Sequence, residues 1–446
     1  MVRQASWVVI PFGVQQVIRL ATQIILARLL APEFFGLMLL VNTLRTGAEL
    51  LSDIGIGQSV VRSANGDDHR FLNVAWTLQV LRGLGLSLAL VAFAVPIAEL
   101  YERPEILPLI LAVSPVFFIS GLLSPSLFVV QRQVKLKPRA VYDIVNTAFQ
   151  CAFTIALAWV MPSVWALIWG VLAGALFNTL SSYFLSDSYR PRLAWNAGFV
   201  SEILHFGKWI FLSTAIYFAA TSFDRMYFVG VLPLALAGVF GIARTFSDML
   251  AALAQRGGAY LVFPKVAAMQ DRREEVAPRL RNTRRKTLAL VAVATGIAVA
   301  LSDQFILLAY DPRYHAAAFM IPLLMISVWF GILSAFADSM LMGDGRPAPG
   351  AWANAAKFLV MLVGLPLAVA QGSILGGLFV LVAAEIARWL ALLPASMNAK
   401  FLRLRDEAML TTLMLVTALG SKALLGAAGL VPTVSEWWAM RGLLHV

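Results

Sequence analysis

Arg45, Glu49 and Asp53 recur every four residues in "NTLRTGAELLSDIGIG" (42–57), inside the apolar stretch "FFGLMLLVNTLRTGAELLSDIGIGQSVV". On a helix this spacing sets all three on one narrow face. A charge at mid-bilayer costs roughly 2.5–3.5 kcal/mol on insertion scales, so such a face must meet water, a ligand or other charges rather than lipid. Related sets occur elsewhere. Gln15, Arg19 and Gln23 stand at i, i+4 and i+8; Thr214, Tyr217, Thr221 and Asp224 stand at i, i+3, i+7 and i+10 with Arg225 beside them; Arg244, Asp248 and Gln255 share a third face. The chemistry open to these residues is anion binding. A guanidinium keeps its charge when desolvated, and its planar fork meets phosphate oxygens two at a time.

The elements that carry these residues follow from composition. Of 446 residues, 60% are hydrophobic and only 13% charged, with a mean hydropathy of +0.79. A soluble chain of this length needs more charge to cover its surface. Repeated apolar runs of about twenty residues identify an all-α polytopic membrane protein. Thirteen spans are predicted, at 6–30, 34–61, 72–100, 107–130, 140–161, 164–186, 204–231, 234–263, 287–309, 317–342, 350–371, 373–397 and 408–430. The tail "VSEWWAMRGLLHV" is too short to cross and reads as an interfacial helix; if it re-enters, the count is fourteen. The first run carries polar residues throughout and lacks a small-residue cleavage site, so it reads as a retained span.

The net charge of +11 is distributed by loop and is no nucleic-acid signal. The N-terminus and the even-numbered loops carry twenty-one Lys and Arg, whereas the odd-numbered loops up to span thirteen carry Arg28, Arg103 and Arg313. The positive-inside rule places the N-terminus and the basic loops in the cytoplasm. The longest of these, "KVAAMQDRREEVAPRLRNTRRK" between spans eight and nine, reads as a solvated connector near anionic headgroups, with partner docking as the sharper alternative.

Two segments resemble each other. "PEFFGLMLLVNTLRTGAEL" (32–50) and "PLALAGVFGIARTFSDML" (233–250) both begin with Pro, reach a Gly within four or five residues, and carry Arg-x-x-x-acid as Arg45/Glu49 and Arg244/Asp248. Two six-span halves produce this correspondence: lobes at 1–186 and 204–397, a cytoplasmic linker at 187–203, and an added span and tail at 398–446. Transporters are commonly built from such repeats, with the site between them near mid-bilayer. The basic residues assigned to span interiors are Arg19, Arg45, Arg82, Arg225, Arg244, Arg256, Lys357, Arg388 and Lys422; the acids assigned there are Glu49, Asp53, Asp224, Asp248, Asp338 and Glu385. The excess of positives suits a cavity for an anion. The plainer reading makes Arg45–Glu49 and Arg244–Asp248 intrahelical salt bridges that fix packing.

Other chemistry finds no residues to support it. There is no Gly-x-x-x-x-Gly-Lys-Ser/Thr loop, and "GDGRPAPG" (343–350) reads as a turn. His69, His205, His315 and His445 have no ligand spacing, and the single Cys151 lies in an apolar run. No cofactor or metal is expected. External loops of a few residues leave no room for an enzyme's domain.

The stretch "LARLLAPEFFGLMLLVNTLRTGAELLSDIGIGQSVVR" closely resembles the N-terminal signature of bacterial polysaccharide transporters, the lipid-linked oligosaccharide flippases. Their superfamily also holds the multidrug extrusion antiporters and the peptidoglycan-precursor flippase. "FGKWIFLSTAIYFAATSFDRMYFVGVLPLALAGVFGIART" resembles the start of that family's second half, and "YDPRYHAAAFMIPLLMISVWFGILSAFADSMLMGDGRP" its tenth-span region. The resemblance implies two six-helix lobes in a V that open alternately to either side. It implies a flippase in the bacterial inner membrane, moving polyprenyl-pyrophosphate-linked oligosaccharide to the outer leaflet, with polymerase and export machinery as candidate partners. Arg19, Arg45, Arg225 and Arg244 would then hold the pyrophosphate. Gln15, Gln23, Tyr217 and Gln255 would contact sugar, and Glu49, Asp53, Asp224 and Asp248 would position the arginines or carry a coupling proton or Na⁺. The alternatives are a drug or cation antiporter, for which the basic excess is the wrong sign, a peptidoglycan-precursor flippase, and a membrane scaffold acting through the basic loop.

Overall fold

A computed structural model describes residues 2–133, 135–185, 189–257 and 273–445, and every regular element among them is helical. The chain runs through α1 (Val2–Leu29), α2 (Pro32–Leu51), α3 (Ile56–Arg62), α4 (His69–Leu100), α5 (Ile106–Val113), α6 (Pro115–Gly121), α7 (Ser126–Arg132), α8 (Leu136–Val160) and α9 (Val164–Ser182). It continues through α10 (Ala197–Val231), α11 (Leu234–Gly257), α12 (Arg273–Ala309), α13 (Ala316–Gly343), α14 (Ala348–Ala370), α15 (Ile374–Asn398), α16 (Leu404–Ala427) and the short α17 (Val434–Ala439). Eleven of the described helices are long and apolar enough to cross a membrane, and twelve spans result when the pair Ile106–Gly121 and Ser126–Arg132, bent by 57°, counts as one. The 35-residue α10 also exceeds the roughly twenty residues a bilayer core requires. These segments correspond in order to the thirteen expected spans. Apolar side chains such as Leu88, Val160, Leu180 and Leu419 stay exposed along them, as lipid-facing surface should.

Local sequence explains where the helices begin. Pro32 opens α2, where its missing N–H costs nothing. The Asp68 carboxylate accepts from the Arg70 N–H to cap α4, and the Ser373 hydroxyl accepts from the Gly376 N–H to cap α15. Thr433 and Glu436 form a capping box at α17. The tail expected to lie at the interface is this helix followed by a 3₁₀ turn, with Trp437 stacked on Phe319 of α13.

The second expected span departs from the prediction. Helix α2 stops at Leu51, Gly55 takes a left-handed φ of 66°, and α3 begins at Ile56. Asp53 therefore does not continue the helical face of Arg45 and Glu49. Its carboxylate turns back to accept the Gly55 N–H at 2.9 Å. An Asp two residues before a Gly in the left-handed region is turn chemistry, and it overrides the apolar pattern that runs through the segment.

The chain divides into two compact units, Met1–Phe218 and Ala219–Val446. In the first, α8 packs on α1 and α9, and α4 on α5 and α6. Helices α4 and α6 approach backbone to backbone: a Cβ on Gly83 would lie 2.4 Å from the Phe117 carbonyl oxygen. The Gln79 amide donates to the carbonyls of Gly121 and Leu123, serving the backbone freed where the fourth span bends. Tyr189 donates to Asn73 Oδ1 at 2.8 Å, and burial pushes its phenol pKa above the ordinary range. In the second unit α13 is central, packed against α11, α12 and α15, with Trp329 fully buried and its indole donating to Thr411 of α16. At the turn before α13, hydrogen bonds from the Arg313 side chain and backbone hold the Asp311 carboxyl below its usual range.

Candidate functional site

Each unit holds a group of charged residues within its helices, besides other ion pairs. In the first unit the group gathers at the end of α2. Arg45 Nη1 lies 3.9 Å from Glu49 Oε1, a loose pair in which both side chains are partly exposed. The last carbonyls of α2 have no intrahelical donor, and side chains serve them. The Ser52 hydroxyl donates to the Ala48 carbonyl at 2.6 Å, Arg82 of α4 to the Glu49 carbonyl at 2.5 Å, and Thr214 of α10 to the Leu50 carbonyl at 2.8 Å. Arg82 Nε also donates to Ser52 Oγ at 3.0 Å. On the neighbouring face of α2, the Phe218 ring fills the space a side chain would take at Gly47, where a Cβ would meet it at 2.5 Å. On α1, Arg19 is exposed and forms no ion pair with a described side chain, while Gln15 and Gln23 are half-buried.

The second unit's group is larger and mostly buried. Arg225 on α10 pairs with Asp248 on α11, and Arg244 Nε on α11 lies 3.0 Å from Asp224 Oδ2 on α10. The two helices are thus cross-linked twice. Asp224 is fully buried, and neither of its carboxylate oxygens receives a hydrogen bond. Nearby, Lys357 of α14 donates to Glu385 of α15 at 2.5 Å, and Arg388 lies 3.8 Å from the other oxygen of Glu385. Glu385 also acts on Arg244 at longer range, so the two sets are neighbours. Buried charges are tolerated only where opposite charges answer them, and these answer one another.

A family model described as polysaccharide biosynthesis protein matches residues 25–318, well over half the chain. The chain belongs to that family. Among relatives of this polysaccharide biosynthesis protein, the lipopolysaccharide biosynthesis protein WzxC of Escherichia coli is 24% identical over 353 residues, covering 77% of this chain and 70% of the relative. The succinoglycan biosynthesis transport protein ExoT of Rhizobium meliloti is 24% identical over 397 residues, covering 88% and 77%. Several solved structures share the fold. The lipid II flippase MurJ in an inward closed conformation matches with a TM-score of 0.75 at 14% identity, over 98% of this chain and 95% of that one. An inward-facing multidrug resistance MATE family transporter of the MOP superfamily matches with 0.68 at 15%, over 89% and 95%.

In this family member the residues singled out from sequence are distributed unequally. Arg225, Arg244, Asp224 and Asp248 come together in one ion-pair network, and Arg45 and Glu49 meet as the i, i+4 spacing requires. Asp53 leaves their face. Tyr217 is half-buried on α10 and takes part in an interaction there. The side chains of Gln255 and Arg256 lie outside the described residues, as do residues 265–272 of the basic loop; from Arg273 onward the expected connector is instead the first part of α12, with Arg284 buried against Glu407. The balance of charge also needs correction. Lys422 of α16 pairs with Asp303 of α12, a fully buried acid in the ninth span that the sequence balance left out. Arg82, Lys357, Glu385 and Arg388 enter the sequence's span-interior charge balance but not its named site residues. The i, i+3 spacing of Glu385 and Arg388 was the available signal; nothing local announces that Lys357 is their partner.

Proposed function

We propose that this protein is a flippase that carries polyprenyl-pyrophosphate-linked oligosaccharide from the cytoplasmic to the outer leaflet by alternating access. The observation that carries the reading is membership of the polysaccharide biosynthesis family in a chain with the fold of lipid and drug transporters. It is a transporter rather than an enzyme on this reading, placed in the bacterial inner membrane with its N-terminus and basic loops in the cytoplasm. Residues 1–186 and 204–397 act as the two lobes.

Among the proposed substrate ligands, Arg19 and Arg45 are the ones free to take an anion. Arg19 has no acidic partner among the described side chains, and Arg45 is held from Glu49 by 3.9 Å. Arg225 and Arg244 are engaged with Asp248 and Asp224, so they would bind pyrophosphate only if those pairs open. Asp224 and Asp248 then serve as the exchange partners of the arginines, and a coupling proton or Na⁺ would compete at the same carboxylates. Gln15, Gln23, Tyr217 and Gln255 are the proposed sugar contacts. A substrate of charge about −2 leaving a negative interior gains roughly 2.3 kcal/mol per charge per 100 mV, so the membrane potential alone can drive export.

The test is to delete the gene and measure which leaflet holds the lipid-linked oligosaccharide. Accumulation on the cytoplasmic side with loss of surface polysaccharide, reversed by the wild-type protein, is expected. Normal distribution of the lipid-linked sugar overturns the reading and turns attention to drug export or to peptidoglycan precursor.

A further inference from the structure

We infer that Arg82 is a positioning residue for anion binding, a tethered cation that offsets the negative end of α2 and leaves the charge of Arg45 available to substrate. The inference rests on the anion-binding role proposed above. Its starting point is the break in the second span. Where α2 ends, the last carbonyls concentrate a partial negative charge of about half an electron. Two carboxylates, Glu49 and Asp53, stand at the same place. Against these, the described residues supply two cations, Arg45 on α2 and Arg82 reaching across from α4.

The geometry separates their tasks. Arg82 is committed to the helix end: its Nη2 donates to the Glu49 carbonyl at 2.5 Å and its Nε to Ser52 Oγ at 3.0 Å. The Ser52 hydroxyl in turn donates to the Ala48 carbonyl at 2.6 Å, so one guanidinium organises the final turn. Both carboxylates act on it electrostatically, Asp53 more strongly than Glu49. Arg45, by contrast, has no close ion pair, and its Nε is buried without a hydrogen-bond partner. With Arg82 present, the two acids are matched by two bases, and an arriving anion meets Arg45 against the partial charge of the helix end alone. Without it, two carboxylates and the helix end face a single guanidinium, and a pyrophosphate is repelled.

A purely structural cap makes a different prediction, because a neutral amide can also donate to the Glu49 carbonyl. The experiment uses full-length protein in nanodiscs and a short-chain polyprenyl pyrophosphate as probe, with the matching alcohol as control. Arg82→Gln is expected to weaken pyrophosphate binding at least tenfold, Arg82→Lys to keep it within about threefold, and Asp53→Asn added to Arg82→Gln to restore it. Asn at 53 retains an oxygen for the Gly55 N–H, so this rescue acts through charge. Equal binding by wild type and Arg82→Gln overturns the inference while leaving the proposed function intact. Absence of pyrophosphate binding in wild type overturns the anion reading, and this inference with it. If Arg82→Gln fails to accumulate, Arg82→Lys decides: a tenfold loss there, with the charge kept, also overturns it.

Discussion

At the scale of single residues, what distinguishes the arginines is how far each is already engaged. A guanidinium already paired with a carboxylate must part from that acid before a new anion gains anything. Arg244 and Arg225 are in that condition. Arg19 and Arg45 are not, and a charge-assisted hydrogen bond to phosphate is worth about 1.5–3 kcal/mol. Replacing either by Ala should therefore reduce transport about tenfold or more while membrane accumulation stays at the wild-type level. The check is transport of lipid-linked oligosaccharide into the outer leaflet, with the amount of protein measured in the same membranes. Wild-type rates in both variants would remove the anion role from the first unit. Sequence alone pointed to these residues, because arginine in an apolar run is conspicuous. It did not separate free arginines from paired ones, since the partners of Lys357 and Lys422, and the nearer of the two partners of Arg244, lie on other helices.

At the scale of elements, the apolar runs located the helices well because hydropathy reports the bilayer's demand for about twenty covered residues. Breaks inside a run are another matter. The turn at Ser52–Asp53–Ile54–Gly55 was legible only as one Asp and one Gly within an otherwise continuous pattern, and the bend of the fourth span at 122–125 had Pro125 alone to mark it. The added helix α16 is the clearest gain from structure. It is fastened to α12 by buried ion pairs near both ends: Arg284 with Glu407, where the Trp389 indole also donates to the carboxylate, and Asp303 with Lys422. Between them, Gly296 allows contact so close that a Cβ would lie 2.7 Å from the Met414 carbonyl oxygen. An added helix so placed completes the second unit. Removing one member of a buried pair leaves the other charge without compensation, at a cost of about 3–5 kcal/mol, whereas replacing both by apolar residues is often close to neutral. Lys422→Met alone should sharply lower the melting temperature in detergent, and Lys422→Met with Asp303→Leu should recover most of the loss. Additive losses in the pair would show that the two side chains act independently.

At the scale of the whole molecule, the alternation of basic loops constrains what helix geometry leaves open. A segment bent by 57°, such as the pair Ile106–Gly121 and Ser126–Arg132, either crosses the membrane or dips in and returns. The charges separate the two cases. The loop before it holds Arg103, and the stretch after it holds Arg132, Lys135, Lys137 and Arg139. Crossing puts that basic stretch on the side of Arg62 and Arg70, whereas a re-entrant path would put it opposite and reverse every later loop. The single native cysteine, Cys151, makes this testable, because Cys151→Ser gives a background free of cysteine. Asn65, Glu105, Ala348 and Gln371 are exposed in loops or at a helix start and tolerate a thiol without loss of packing. With a membrane-impermeant maleimide, Glu105→Cys and Gln371→Cys should label in intact spheroplasts. Asn65→Cys and Ala348→Cys should label only after the membrane is opened. Labelling of Ala348→Cys from outside, with Asn65→Cys still protected, would make the fourth segment re-entrant. The proposed division into two six-span lobes would then fail.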